Sequence, residues 1–368
     1  MDVRKKIMIV MPSLTGGGAE RVMLTIVKHI DREKFIPIFV LTKKEGRFLN
    51  VLKTLPKDVE VIDLDASAAR YAIFKIAKVI REIKPDIVFS TLGYLNLLIA
   101  IIRPFYSKNI KFISRESNTV SVENKQEKYP RLFDWLYKNV YNNFDLIITQ
   151  SKYMRDDLVE NFGIQKSRTV VIYNPVDIDN VLEKSQESKD GIYNNDKINL
   201  VAAGRLAPQK GFDVLVECMS LLGDEFHLTI LGEGDDEDAL KQQIKTLNLQ
   251  DKITLAGFTH NPYVYFKGAD YFVLSSRYEG LPNVVLESNV CGTPCVAFDT
   301  PGGTAEVIED EKTGILVKEF SAASLAENIE KATKIDFDSK YIQDFCRKNF
   351  NVEKIVKEYE NNFLNEKD

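Results

Sequence analysis

The chain has 368 residues, 44% of them apolar and 28% charged, with a formal net charge of −5 at neutral pH. That is long enough for two ordinary domains with separate cores, and the composition excludes a disordered or fibrous protein. Four cysteines without a Cys-x-x-Cys pair and three scattered histidines (His29, His227, His260) argue against a disulfide framework and a zinc site; Cys291 and Cys295 read as small buried hydrophobes.

The start of the chain leads into only a short apolar stretch, too brief for a signal peptide, so a cytoplasmic location is expected, if anywhere special at the inner face of the cell membrane. No apolar run reaches the ~20 residues of a membrane span, the longest notable one being 97–102. Charge is uneven. Residues 1–180 carry 29 Lys+Arg against 21 Asp+Glu, a net of +8, and the remainder 20 against 33, a net of −13. Such asymmetry predicts two domains with different partners, none of them nucleic acid. The basic half either steers the protein to anionic lipid or polyphosphate-bearing acceptors or is an ordinary solvated surface.

In chain order, the predicted strands of the first half are 6–11, 35–42, 59–63, 86–89, 110–114, 145–149 and 169–172, with helical patterns at 68–83, 130–141 and 152–161. Several strands are apolar without alternation, as when helices cover both faces, and the βαβα order predicts a parallel sheet. The first strand runs into Gly16-Gly17-Gly18-Ala19-Glu20-Arg21, followed by an apolar-periodic helix through Val22, Leu24, Ile26, Val27 and Ile30. Glycines at such a turn let backbone N–H groups approach a phosphate at a helix N-terminus. The triplet matches neither Gly-x-Gly-x-x-Gly nor the P-loop pattern, and a purely structural turn is the plain alternative. Segment 70–84 sets basic residues beside a broad apolar face; packing on its own sheet is preferred, with contact to anionic lipid the alternative.

The rhythm breaks after Asn174-Pro175-Val176-Asp177, and the polar stretch 183–190 with 194–196 predicts a linker or exposed insertion. Alternation then restarts, with strands at 198–203, 226–231, 252–256, 271–274, 294–298 and 314–317 and helices at 212–222, 239–247 and 284–290. Helices at 322–332, 340–348 and 352–363 close the chain. The expected fold class is α/β, with two Rossmann-like, doubly wound parallel-sheet domains in tandem facing a central cleft.

Two loops of the second half carry the chemistry. Gly204-Arg205-Leu206-Ala207-Pro208-Gln209-Lys210-Gly211 follows a strand and opens a helix. The planar fork of Arg205 and the point charge of Lys210 suit the oxygens of a diphosphate; a basic loop capping its own sheet is the alternative. After strand 271–274, the run from Arg277 to Glu287 places Glu279 and Glu287 eight positions apart across a turn-to-helix junction, with Pro282 fitting the first helical position. Open α/β sheets bind ligands at strand carboxyl ends, so two acids beside a helix N-terminus suit a polyol joined to a phosphate.

These motifs (Gly-Arg-Leu-x-x-x-Lys-Gly, Glu-x7-Glu, Gly-Gly-Gly-Ala-Glu-Arg, Tyr173-Asn174-Pro175-Val176-Asp177 and Thr300-Pro301-Gly302-Gly303) occur together over nearly the whole chain. The chain thereby resembles the retaining GT-B glycosyltransferases of the large family-4, group 1 type, which includes mannosyl-, N-acetylglucosaminyl- and N-acetylgalactosaminyltransferases. The resemblance implies an acceptor-binding domain over 1–175, a donor-binding domain over 176–350, and a final helix at 352–363 that packs back onto the first. It also implies metal-independent transfer without a cofactor. A hexose or N-acetylhexosamine would move from a nucleotide-diphosphate sugar, UDP preferred, to a glycan or lipid-linked glycan in surface-polysaccharide synthesis.

Residue by residue, the resemblance implies that Arg205 and Lys210 bind the donor diphosphate, with Gly204 at the start of their loop. Glu279 would contact sugar hydroxyls and Glu287 the ribose. Backbone at Gly280, Leu281 and Asn283, and at Gly17 and Gly18, would complete the anion site, and Gly257 with Phe258 would lie by the nucleobase. Asp63-Leu64-Asp65 spells the Asp-x-Asp of metal-dependent transferases but ends a first-domain strand and is discounted. Many relatives place a histidine after the fifth strand; here Ile113-Ser114-Arg115-Glu116-Ser117-Asn118 has none. Arg115 and Glu116 are therefore the acceptor-side candidates, with structural pairing as the alternative. Two rivals share the architecture: a non-hydrolysing sugar-nucleotide epimerase and a catalytically silent nucleotide-sugar-binding subunit.

Overall fold

The computed structural model describes residues 3–66, 69–187, 191–193 and 196–365. Ala68 of the expected helix, the Arg70 side chain, and residues 188–190 and 194–195 of the expected linker lie outside the description. The chain divides into two compact units: unit 1 comprises Met1–Pro175 with Val352–Asp368, and unit 2 comprises Val176–Asn351.

Unit 1 is built on seven parallel strands, β1 (Lys5–Met11), β2 (Phe35–Leu41), β3 (Glu60–Asp63), β4 (Ile87–Thr91), β5 (Lys111–Arg115), β6 (Leu146–Thr149) and β7 (Thr169–Val171), in the order β3-β2-β1-β4-β5-β6-β7. Its helices are α1 (Gly18–His29), α2 (Ala69–Ile83), α3 (Gly93–Ile102), α4 (Val120–Glu123), α5 (Pro130–Val140) and α6 (Lys152–Phe162). Ile76 and Ile80 of α2, Leu95 and Ile99 of α3, Tyr137 of α5 and Leu158 of α6 share one core with Met8, Val10 and Val88 of the sheet. Strand alternation turns Phe89 to the other sheet face.

The last helix of the chain covers that other face. Its Phe363 meets the rings of Phe89 at 5.2 Å and Phe35 at 6.0 Å, and its Tyr359 meets Phe89 at 5.9 Å. Glu360 Oε1 accepts from the Asp31 amide at 2.7 Å.

Unit 2 has six parallel strands, β8 (Ile198–Ala203), β9 (Phe226–Leu231), β10 (Ile253–Gly257), β11 (Tyr271–Leu274), β12 (Cys295–Phe298) and β13 (Gly314–Val317), in the order β10-β9-β8-β11-β12-β13. Its helices are α7 (Ile178–Ser185), α8 (Phe212–Leu221), α9 (Glu237–Thr246), α10 (Tyr263–Gly268), α11 (Asn283–Val290), α12 (Thr304–Val307), α13 (Ala322–Ala332) and α14 (Ser339–Phe350); the last helix, α15 (Val352–Leu364), is the one that belongs to unit 1. Both units are thus doubly wound parallel sheets of the Rossmann type. Strand order reverses beside the first strand of each, between β1 and β4 and between β8 and β11. Such switch points are where crevices open at the strand carboxyl ends.

The structure corrects three local expectations. The polar stretch from 183 does not begin as a linker: Glu183–Ser185 complete α7, whose Ile178 and Val181 are buried and whose first turn is capped by the Asp177 side chain. Its single buried face is too short for the helical period to stand out. Helix α3, absent from the predicted elements, is apolar nearly all round, so period and polarity do not separate in its sequence. Pro282 is the N-cap of α11 rather than its first helical residue. The four cysteines are free and buried, and no helix among the described residues is long and apolar enough to cross a membrane.

Candidate active site

In unit 2 the two motif loops leave the carboxyl ends of the adjacent strands β8 and β11, one on each side of the switch point. They are joined atom by atom. Lys210 Nζ lies 2.6 Å from Glu279 Oε1, which also accepts from Ser276 Oγ at 2.6 Å. Gln209 Nε2 donates to Tyr278 O, Arg277 N donates to Gln209 O, and Ser275 Oγ donates to Lys210 O. Arg277 reaches back to Pro208 O and grips both carboxylate oxygens of Asp213 at 2.9 and 2.7 Å. That guanidinium holds the Asp213 carboxyl below its usual range. Arg277 and Gln209 are positioning residues that sequence reasoning missed, because their partners are some 65 residues away in the chain.

Glycines set the closeness of these loops. Gly211 has φ +63° at the start of α8, and a Cβ there would lie 2.1 Å from Ser275 O. Gly302 has φ +134°, and a Cβ would lie 2.0 Å from Glu279 O. The loop after β12 braces Glu279 through two bonds, Glu279 N to Pro301 O and Gly303 N to Gly280 O at 2.7 Å. Neither position admits a side chain without moving the backbone of the loop that carries Glu279.

The remaining expected donor residues fall around the same strand ends. Gly204 directly follows β8 and lies against the Lys210 stem, whose carbons would be 3.3 Å from an added Cβ. Arg205 is exposed, and among the described residues its guanidinium has no hydrogen-bond or ion-pair partner. Gly280 and Leu281 are buried in the turn, Asn283 begins α11, and Glu287 lies buried one turn on. Gly257, at φ +70°, accepts from Gly232 N, and the half-buried Phe258 ring stands edge-on to His260 at 5.0 Å. A fixed ammonium–carboxylate pair, a partnerless guanidinium and a helix start on one rim can bind a polyphosphate beside a hydroxyl-rich group.

The loops of unit 1 differ. Gly17 is the N-cap of α1 and Gly18 its first residue, but the buried Glu20 carboxylate turns back over them. It accepts from Thr15 Oγ1 at 2.9 Å, and a Cβ on Gly17 would meet Glu20 Oε2 at 2.6 Å. The positive end of α1 is therefore already faced by an acid of the chain.

Arg115 and Glu116, at the end of β5, are both fully buried. Arg115 bonds to Asn174 Oδ1 at 2.6 Å, Tyr359 Oη at 3.1 Å and Thr91 Oγ1 at 3.4 Å, so its partners are neutral oxygens rather than an acid. Glu116 accepts from Asn96 Nδ2 at 2.9 Å and faces the Tyr137 hydroxyl at 3.5 Å. Burial pushes its carboxyl from 4.5 to about 8. Beside them, at the end of β4, Leu92 holds φ +76°, a conformation costly for a residue with a branched side chain. Asn96, Tyr137 and Leu92 carried no sequence signal; only the folded sheet brings them to Glu116.

Comparison with known proteins follows the same division. Residues 183–348 match the model of glycosyl transferases group 1, and residues 16–180 match that of glycosyltransferase family 4. An N-acetylgalactosamine-N,N'-diacetylbacillosaminyl-diphospho-undecaprenol 4-alpha-N-acetylgalactosaminyltransferase of Campylobacter jejuni is 29% identical over 90% of this chain and 91% of its own. A glycosyltransferase of Methanocaldococcus jannaschii is 30% identical over 80% of this chain and 78% of its own. Among solved structures, Anabaena HepE in complex with UDP-glucose superposes with a TM-score of 0.84 at 20% identity, covering 98% of this chain and all of the other. The chain is a GT-B glycosyltransferase, a member of the group 1, family 4 glycosyltransferases.

Proposed function

We propose that the enzyme is a retaining, metal-independent transferase that moves a hexose or N-acetylhexosamine from a UDP-sugar to a glycan or lipid-linked glycan in surface-polysaccharide synthesis. The observation that carries this is the Lys210–Glu279 contact at the unit 2 switch point, with Arg205 exposed on the same loop as Lys210. Arg205 and Lys210 bind the donor diphosphate and Glu279 the sugar hydroxyls. Glu287 binds the ribose, and Gly257 with Phe258 flank the base. Gly204, Gly280, Leu281 and Asn283 supply backbone to the phosphates; Gly17 and Gly18 do so only if Glu20 moves aside. As the sugar–phosphate bond breaks, positive charge grows at the anomeric carbon and negative charge on the leaving oxygen. The two cations oppose that negative charge, Lys210 being held at the site by Glu279. The acceptor hydroxyl attacks from the leaving-group side and gives its proton to the departing phosphate oxygen.

The Campylobacter relative is named for an α-linked transfer to a diphospho-undecaprenol carrier, and the Anabaena structure holds UDP-glucose. An α product is what retention gives from an α-linked nucleotide sugar, which supports both parts of the proposal. The test is to incubate the enzyme with UDP-N-acetylgalactosamine, UDP-N-acetylglucosamine or UDP-glucose and an undecaprenyl-diphosphate-linked sugar, in chelator. The product's anomeric configuration is then read by NMR. A β-configured product, or a strict demand for divalent metal, defeats the mechanism. Conversion of the donor to a different UDP-sugar without acceptor would instead reveal an epimerase.

A further inference from the structure

We propose that unit 1 docks on an anionic lipid bilayer through the outer surface of α2, α3 and α5, with Phe74, Phe105 and Trp135 entering the interfacial layer. The three helices are neighbours on one face of the seven-stranded sheet, α2 and α5 each packing against α3. Helix α3 is the anomaly. Its inner residues Leu95 and Ile99 fill the core, yet its outer stripe is also apolar: Tyr94, half-buried Leu98, Ile101 and Phe105 recur at three- and four-residue spacing. A helix apolar all round belongs inside a protein or against a second apolar medium. Phe105, in the turn that extends α3, is 80% exposed. The flanking helices continue the surface with Phe74 at 74% and with Leu132 and Trp135 at 52% and 57%. An uncovered apolar area of this kind marks an interaction site rather than ordinary scatter.

The charges identify the occupant. Exposed Lys78, Arg81, Lys108, Arg131 and Lys138 lie on and beside the three helices, against the exposed acids Glu82 and Glu127. Lysine is depleted in the cores of protein interfaces but accompanies aromatic residues where a helix lies on anionic headgroups. The half of the chain that bears this surface carries the net positive charge. In unit 2 the large exposed apolar residues (Leu221, Leu247, Phe320, Tyr341) sit singly on separate elements of the acidic half. Among the described residues, only unit 1 combines the apolar stripe with cations. This account of α2 joins the two expectations for its sequence: Ala72, Ile76 and Ile80 face the core, while Tyr71 and Phe74 face outward.

Trp135 is the only tryptophan of the chain, so its emission reports this surface directly. The full-length enzyme is titrated with vesicles of phosphatidylglycerol and phosphatidylcholine, and with phosphatidylcholine alone, followed by flotation. Expected are a blue shift and co-flotation with the anionic vesicles only, both weakened by salt. Phe74→Ser with Phe105→Ser keeps the reporter and should lower partitioning by about tenfold or more. Arg131→Glu with Lys138→Glu should do the same, while Leu221→Ser with Leu247→Ser should change nothing. Unaltered melting and UDP binding establish that each variant is folded. The proposal is overturned if anionic vesicles give no shift, if neutral ones shift it equally, or if the Phe74/Phe105 variant binds undiminished. A lipid-free dimer abolished by that variant would assign the surface to a second copy and also overturn it. The assay contains neither donor nor acceptor, so its failure leaves glycosyl transfer untouched.

Discussion

The loops beside the switch point of unit 2 and those beside that of unit 1 share a backbone plan and differ in electrostatics. In unit 2 the strand ends present ionic groups at the rim: Arg205 exposed, Lys210 paired with Glu279, and Arg277 locked to Asp213. In unit 1 the ionic groups are buried instead, Glu20 after β1 and Arg115 with Glu116 one strand beyond the switch point, at the end of β5. Arg115 is surrounded by neutral oxygens, and Glu116 is pushed toward its uncharged form by burial among Asn96 and Tyr137. A rim of paired ions can exchange partners with a polyanion, whereas a sealed network whose one cation is enclosed by neutral oxygens holds shape. The same fold thus supplies a charge-reading end and a shape-holding end.

The sharpest way to break this contrast is to remove the cations. Arg205→Ala and Lys210→Ala should each lower turnover by ~10²–10³, as loss of a fixed transition-state donor does; steady-state rates with a saturating UDP-sugar check this, and full turnover in either variant would end the contrast. Gly302→Ala should come next. Its Cβ cannot coexist with Glu279 O at 2.0 Å, so the expected cost is roughly 2 kcal/mol or more in stability, with weakened donor affinity read by calorimetry.

On the unit 1 side, Glu116→Gln should stabilise. The native carboxyl is raised from 4.5 to about 8, so folding is unpenalised below 4.5 and loses stability as the pH climbs toward 8. The variant's melting advantage should therefore be absent near pH 4.5 and reach roughly 1–3 kcal/mol by pH 8. A constant difference across that range would show that Glu116 does not titrate there. The smallest effect belongs to Asp213→Asn. Its partly exposed pair with Arg277 should be worth about 0.2–1 kcal/mol, less at high salt, read by denaturant titration.

Much of the architecture was legible because it depends on local pattern. Strands such as 198–203 and 271–274 are short apolar runs between turn signals, and Gly211 marks a helix start that only a positive φ allows. The charged loops were legible as motifs because few residue types suit a diphosphate. What pattern could not carry was distance. Arg115 finds its partners 59 and 244 positions away, and Lys210 meets Glu279 across 69. Nothing within a few residues of Arg115 distinguishes a rim guanidinium from one enclosed by Tyr359 and Asn174. The α1 start shows the same limit, since Glu20 lies within its own motif yet only the folded turn reveals that it faces Gly17.

The unequal way in which the chain assigns its two units has a consequence for the order in which the protein is born. Unit 2 is one uninterrupted run, entered and left at neighbouring points, where Val176 pairs with Asn351 and its amide bonds to Phe350 O at 2.8 Å. Unit 1 is begun first but finished after unit 2, because Tyr359 and Phe363 follow the whole of unit 2 in the chain. Until they arrive, Phe89 is uncovered and Arg115 lacks the Tyr359 hydroxyl. The half made first must wait, its sheet open on one face, while the half made second is free to close ahead of it.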